Sequence, residues 1–323
     1  MNAMLHYSEM TCQSAVDRWP ACNRIRSLTG SGKEHMPLFD LDYMAHVPGE
    51  KSLGGKERWM PSALTLTMSG DADKRHGTYI ASLLQGVIMD RIDPAYARKL
   101  HESSIHPYSQ FVEEEDGKIQ WHIHALTNEA ETEILGPLME PSFTEVELLH
   151  RQETLLIKER FQKSVSYEEL IQGYYLGDCG RNINLQIRSP MAFKQNGRYC
   201  IFPTARLIFQ SLMLRFDACT PDSTIFTPEL LGEFENLTEI ADYRLRSVRF
   251  SMEGVRIPSF MGNLRIRVQG PQQMANVAWM LAKFGEYSGI GIKTGMGMGA
   301  VQIRENTARR EYRTDRKEER ING

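Results

Sequence analysis

The chain has 323 residues and a mass of 37.0 kDa, enough for two units that each bury a core. Thirty-eight basic against 41 acidic residues leave a formal charge of -3, which excludes a globally basic nucleic-acid binder and confines any polyanion site to a local patch. The five cysteines (Cys12, Cys22, Cys179, Cys200 and Cys219) form no CxxC pair, which points away from a disulfide frame or a zinc site and toward reduced thiols in a cytoplasmic protein. No apolar run approaches the roughly 20 residues of a membrane span, and the N-terminus lacks the basic-then-apolar order of a signal peptide.

Residues 1–57 carry no clear period and read as a poorly structured extension, with Met60 as an alternative start. Leu64, Leu66 and Met68 alternate with polar residues over Ser62 to Met68, which predicts a half-buried strand. Ile80, Leu83, Leu84, Val87 and Ile88 share one face of a helix over Thr78 to Ile92. Asp93-Pro94 starts a second, short helix with Ala97, Leu100 and His101, since Asp caps well and Pro suits the first helical position. Tyr108–Val112 and Ile119–Leu126 read as a hairpin about Asp116-Gly117, followed by a helix over Asn128–Leu138 and strand-like segments over Glu145–Ile157. This is a β-α-β-β-α-β order, the ferredoxin-like arrangement.

The second half repeats that order without visible identity. A strand at Ile183–Ile187 precedes a helix over Thr204–Phe216. Strands at Tyr243–Met252 and Val255–Val268 meet at Glu253-Gly254. A helix over Pro271–Phe284 and a strand at Ala300–Arg304 close the chain. The expected class is α+β, with tandem ferredoxin-like domains at 58–178 and 179–305 and a charged tail over 306–323.

Between the last helix and the last strand, Phe284 to Gly299 holds six glycines in sixteen residues. Such a loop can present backbone N–H groups to an anion, and Lys293-Thr294 adds a cation and a hydroxyl suited to a phosphodiester. It is not a Walker A loop: Ile292 stands where Gly must precede Lys-Thr, and the loop follows a helix and precedes a strand, the reverse of the required order. A dinucleotide fingerprint fails because no helix N-terminus follows to hold a pyrophosphate. A purely structural turn remains the plain alternative.

Gly289, Gly291, Lys293, Thr294, Gly297 and Gly299, after a helix and before a terminal strand, resemble the C-terminal signature of the RAMP superfamily. The pattern is most similar to its repeat-processing endoribonucleases, the sixth family of CRISPR-associated proteins. The resemblance covers about Ser62 to Ile303 and implies two ferredoxin-like domains that cut CRISPR repeat RNA into guide units without metal or cofactor. In that chemistry the ribose 2′-hydroxyl attacks the adjacent phosphate and leaves a cyclic phosphate, which requires a base, an acid and a cation for the phosphorane. The same signature also fits a catalytically silent RAMP subunit that binds guide RNA in an effector complex. Other Cas proteins are therefore candidate partners, and a homodimer stays open.

The family's acid/base histidine follows the first long helical stretch and precedes an aromatic-Ser strand. Leu100-His101 before Tyr108-Ser109 has that form, so the resemblance assigns His101. Met89 stands where relatives can carry a tyrosine, and His106-Pro107 where a lysine can follow. His106 and Tyr108 are therefore the expected assistants, His106 as base or as phosphate-stabilising cation. His122 and His124 would share a strand face, but no third ligand completes a metal site, so a solvent-facing pair is expected. His76 reads as a capping or packing residue.

Six arginines against one acid between Tyr243 and Val268 mark the candidate RNA surface. Arg244 and Arg246 share a face of one strand and Arg265 and Arg267 a face of the other; solvated charge on an open sheet is the alternative. Arg188 and Lys194, flanking Ser189-Pro190, are weaker candidates.

Overall fold

The computed structural model describes residues 60–304, apart from 72, 75, 221–223 and 253; the extension over 1–57 and the tail over 306–323 lie outside the described residues. Strand β1 (Ser62–Ser69) buries Leu64, Leu66 and Met68 as its alternation predicts. A 3-10 turn leads into α1 (Ala81–Arg91), which turns Ala81, Leu84 and Ile88 into the core. Helix α2 (Pro94–Glu102) starts on Asp93, whose carboxylate accepts from the amides of Ala95 and Tyr96 at 2.7 and 3.3 Å. Strands β2 (Tyr108–Glu115) and β3 (Lys118–Ala125) join through Asp116 and Gly117, both at positive φ (51° and 73°), the geometry of a two-residue hairpin.

A helical run over 128–139 (α3) starts on the Thr127 cap. It widens to a π turn at Glu131–Leu135, just ahead of Pro137, which has no N–H to give the preceding turn. The strand-like stretch after it is a hairpin of β4 (Glu145–Leu148) and β5 (Glu153–Ser164). The sheet order is β2-β3-β1-β5-β4, the ferredoxin-like order with β4 added at the edge.

The second sheet runs β11-β6-β10-β9, with β6 at Asn182–Met191, β9 at Thr238–Met252, β10 at Val255–Val268 and β11 at Val301–Arg304. Two pieces are additions to the sequence reading. One is a small hairpin, β7 (Phe193–Gln195) and β8 (Arg198–Cys200), inserted before α5 (Ala205–Cys219). The other is α6 (Pro228–Leu237), capped by Thr227, which buries Phe234 in a 4.0 Å stack on Phe209.

Helix α7 (Gln272–Ser288) carries the second core with Met274, Val277, Ala278, Leu281 and Phe284. It crosses α5 closely: a Cβ on Gly285 would lie 2.9 Å from Leu212 Cδ2. A linking helical run over 167–175 (α4) packs Tyr167, Leu170 and Tyr175 into this second core, so the boundary expected at residue 178 falls after a segment that packs with the second unit.

The two units are bonded across a seam. Arg188 of β6 makes a two-pronged ion pair with Glu113 of β2, at 2.5 Å from Nε, and also donates to Gln302. The Tyr167 hydroxyl donates to Leu126 O at 3.2 Å. Ser109 Oγ donates to the carbonyl of Tyr287 on α7.

Phe284 is fully buried between Tyr167 and Phe216, with ring centroids at 6.0 and 5.2 Å. Phe284→Ala therefore removes an aromatic anchor shared by three segments. We expect a loss of about 3–5 kcal/mol of unfolding free energy, read from the urea midpoint.

Candidate active site at the glycine-loop seam

The glycine loop fills the seam from the α7 side. At Gly297 φ is +105°, and a Cβ there would sit 2.3 Å from the Ala81 Cβ at the start of α1. At Gly299 φ is +72°, and a Cβ would lie 2.0 Å from Ile290 O. Glycine is required at both by sterics as well as by the left-handed backbone. Gln110 completes the joint: its Nε2 donates to Ala81 O at 2.8 Å and to Gly295 O at 3.1 Å, and its Oε1 accepts from Trp121 Nε1 at 2.6 Å.

This packing corrects the expectation of open amides along the loop. Ile290 N–H donates to Gly299 O, Gly291 N–H to Ser211 Oγ, Ile292 N–H to Ala192 O and Gly299 N–H to Pro190 O. Among the described residues of the loop, the amides of Lys293, Thr294 and Gly295 are the consecutive ones without such a bond. Gly289, Gly297 and Gly299 are buried, and Gly291 is half-buried. Thr294 is 1% exposed, so its hydroxyl points into protein rather than at an RNA backbone. Lys293 is the loop's polar outlet, half-buried and itself left-handed at φ 54°.

Against this loop lies the α2–β2 connection. His101 is exposed in the last turn of α2, beside the buried Leu100 that anchors the helix. His106 is half-buried and its ring is stacked on Tyr108 at 5.6 Å. Tyr108 is 0% exposed and its ring lies under Gly295. Tyr108, an expected assistant, thus lies beneath the loop with its ring as a floor for His106.

The structure brings His101, His106 and Lys293 together and adds a residue the sequence reading missed. Arg215 projects from α5 toward the same point, with Nη2 donating to Gly291 O at 3.2 Å. Burial pulls the His106 imidazole down to about 4, and the charges of Arg215, His101 and Lys293 push the same way; a hydrogen bond from the ring to the Leu100 carbonyl opposes them. His106 is thus neutral at pH 7, which fits a proton acceptor and not the phosphate-stabilising cation that was its other expected role. Burial, with Lys194 nearby, also lowers Lys293 from the ordinary lysine value. The sequence signal for Arg215 was one charge on an otherwise apolar helix face, one turn beyond Ser211.

The arginine stripe lies elsewhere on the second unit. The β9–β10 register sets Arg244 opposite Asn263, Arg246 opposite Met261 and Arg265 opposite Asp242, which puts all four arginines on one sheet face. Two acids just outside the basic window take up half of the stripe: Arg265 pairs with Asp242 at 3.6 Å and Arg267 with Glu239 at 2.9 Å. Arg244 and Arg246 are exposed. Arg188 is committed to Glu113.

His122 and His124 are not a solvent-facing pair. His124 is buried and bonds Tyr287 O at 3.0 Å; His122 bonds Thr65 Oγ1 at 3.0 Å and stacks on Phe111 at 4.4 Å. Among the described residues no three ligating side chains gather for a metal, and no helix is long and apolar enough to cross a membrane. His76 packs as expected, against the buried carboxylate of Glu153 at 2.5 Å.

Burial lowers His122 to about 3 and His124 to about 4. A histidine depressed in the fold leaves the unfolded chain holding more protons below its ordinary value of about 6.5. Stability is therefore full above that pH and falls as the pH drops toward 4. The urea midpoint should decline over this window, and His124→Asn should flatten the decline.

Comparison with known proteins agrees with this architecture. Residues 185–301 match the family model for CRISPR-associated endoribonuclease Cas6. The chain is 32% identical over 245 residues to a Mycobacterium tuberculosis protein of that name, covering 75% of this chain and 78% of the relative. A Streptococcus thermophilus protein of the same name is 30% identical over 226 residues, covering 70% of this chain and 92% of the relative. Among solved structures, a product complex of Thermus thermophilus Cas6 superposes with a TM-score of 0.64 at 23% identity, over 76% of this chain and 100% of that one. A Cas6 substrate-mimic complex does so at 0.61 and 19%, with the same coverage. The structural matches establish the fold, tandem ferredoxin-like units, and the sequence matches establish the family: this chain belongs to the CRISPR-associated endoribonuclease Cas6 family.

Proposed function

We propose that this protein cuts CRISPR repeat RNA into guide units by metal-independent acid–base chemistry at the glycine-loop seam. The observation that carries the reading is that an exposed His101 and the cations Lys293 and Arg215, drawn from both units, lie within electrostatic reach of a half-buried His106 that burial keeps neutral. His106 accepts the proton of the ribose 2′-hydroxyl. The attack on the adjacent phosphate yields a 2′,3′-cyclic phosphate, and His101, open to solvent and to substrate, protonates the departing 5′-oxygen. Lys293 faces the phosphorane charge. Met89 is a half-buried packing residue of α1, so no tyrosine from that helix enters the scheme. Arg244 and Arg246 extend the contact along the RNA backbone.

The wild-type protein should cleave a cognate repeat in EDTA and leave a cyclic phosphate end. His101→Ala should bind that RNA and not cut it. Cutting retained in His101→Ala sinks the assignment, and binding without cutting by the wild type indicates a silent guide-RNA subunit. Lys293→Glu should weaken RNA binding, most of all at low salt where phosphate contacts count most. An affinity unchanged at low salt would leave the loop a structural joint only.

A further inference from the structure

We infer that Arg215, together with Ser211, is a positioning residue for the reaction: the pair clamps the glycine loop at Gly291 and holds a guanidinium within electrostatic reach of His106. The inference rests on the acid–base reading above and goes beyond it, because neither residue belongs to the motif or to the expected site.

The geometry begins on α5. Ser211 and Arg215 stand one helical turn apart and therefore project from the same face. They take hold of one residue of the loop by both of its backbone groups: Ser211 Oγ accepts from Gly291 N–H at 2.8 Å, and Arg215 Nη2 donates to Gly291 O at 3.2 Å. Gly291 has no room to evade this grip. A Cβ on it would lie 2.4 Å from Ala192 O, and Ile292 N–H is bonded to that same carbonyl at 3.0 Å. Lys293 follows two residues later, so the clamp sets where the cation stands.

Arg215 is 9% exposed, so its charge is little screened by solvent. Of the charges that reach His106, it acts most strongly, ahead of His101 from α2 and Lys293 from the loop; the Leu100 carbonyl and the Tyr108 ring complete the surroundings. A buried guanidinium cannot be deprotonated at working pH, which makes it a fixed source of positive potential. Its effect adds to that of burial, the larger cause, in keeping His106 a neutral proton acceptor.

Three variants test this in the full-length protein. In Arg215→Met the His106 imidazole, followed by NMR on histidine-labelled protein without RNA and assigned with His106→Asn, should titrate above its native position of about 4 and nearer the ordinary value of about 6.5. The ascending limb of kcat/KM against pH should move up with it, and kcat should fall roughly 10- to 100-fold, the scale of a misplaced reacting group. Arg215→Lys keeps the charge and loses the fork, so the titration should stay near the native one while kcat falls. Ser211→Ala loosens the loop alone and should lower kcat several-fold with His106 unmoved. Should Arg215→Met fail to fold, the Lys and Ala variants decide. An unmoved His106 titration in folded Arg215→Met overturns the electrostatic role, and unchanged kcat in both Arg215→Lys and Ser211→Ala overturns the clamp. The titration needs no RNA, so a failure of the cleavage reading shows separately, as a wild type that cuts no repeat.

Discussion

The close approach of the glycine loop to the first helix of the other unit is the constraint on which the site depends. Gly297 against Ala81 leaves no space for one methyl group, and Gln110 ties Ala81 O and Gly295 O to the same amide nitrogen. A packed joint of this kind has few alternative arrangements. Through it the end of α7, the start of α1 and the beginning of β2 pack into one region. His101 and His106 come from the first unit, and Lys293 and Arg215 from the second. Their meeting is a consequence of the joint.

Burial at the seam also assigns chemistry. Four histidines here differ chiefly in their surroundings. His122, His124 and His106 lose water and with it the ability to carry charge at neutral pH. His101 stays in solvent at the helix end, where it can meet an incoming strand. One residue type thereby supplies two interior packing groups, one half-buried neutral imidazole and one solvent-exposed side chain. The cations at the seam contribute twice, once as candidate partners of phosphate and once as a field that adds to the effect of burial on His106.

Strand register has a comparable effect on the arginines. Pairing between β9 and β10 gathers Arg244, Arg246, Arg265 and Arg267 on one face, a denser stripe than separate strand faces would make. The same register brings Asp242 and Glu239 opposite two of them and neutralises half the stripe. Such exposed pairs stabilise little, commonly under about 1 kcal/mol, so phosphate can compete for these side chains.

The sequence by itself determined the order of the main elements of the two units, because alternation in β1, helical periodicity in α1 and the Asp93-Pro94 and Asp116-Gly117 signals are local. It also marked the loop, since glycine spacing is visible without coordinates, and through the family resemblance it marked His101. Helix α6 and the β7–β8 hairpin were legible in part, as Thr227-Pro228 ahead of apolar residues and as the Asn196-Gly197 turn. Tertiary structure alone decided the rest. That Thr294 and Tyr108 face inward, that the amides of Gly291, Ile292 and Gly299 are already bonded, that Arg188 belongs to Glu113 and that the Arg215 charge reaches His106 are decided by contacts between segments far apart in the chain. The physical reason is that burial and pairing, which set both accessibility and charge state, are properties of neighbours in space.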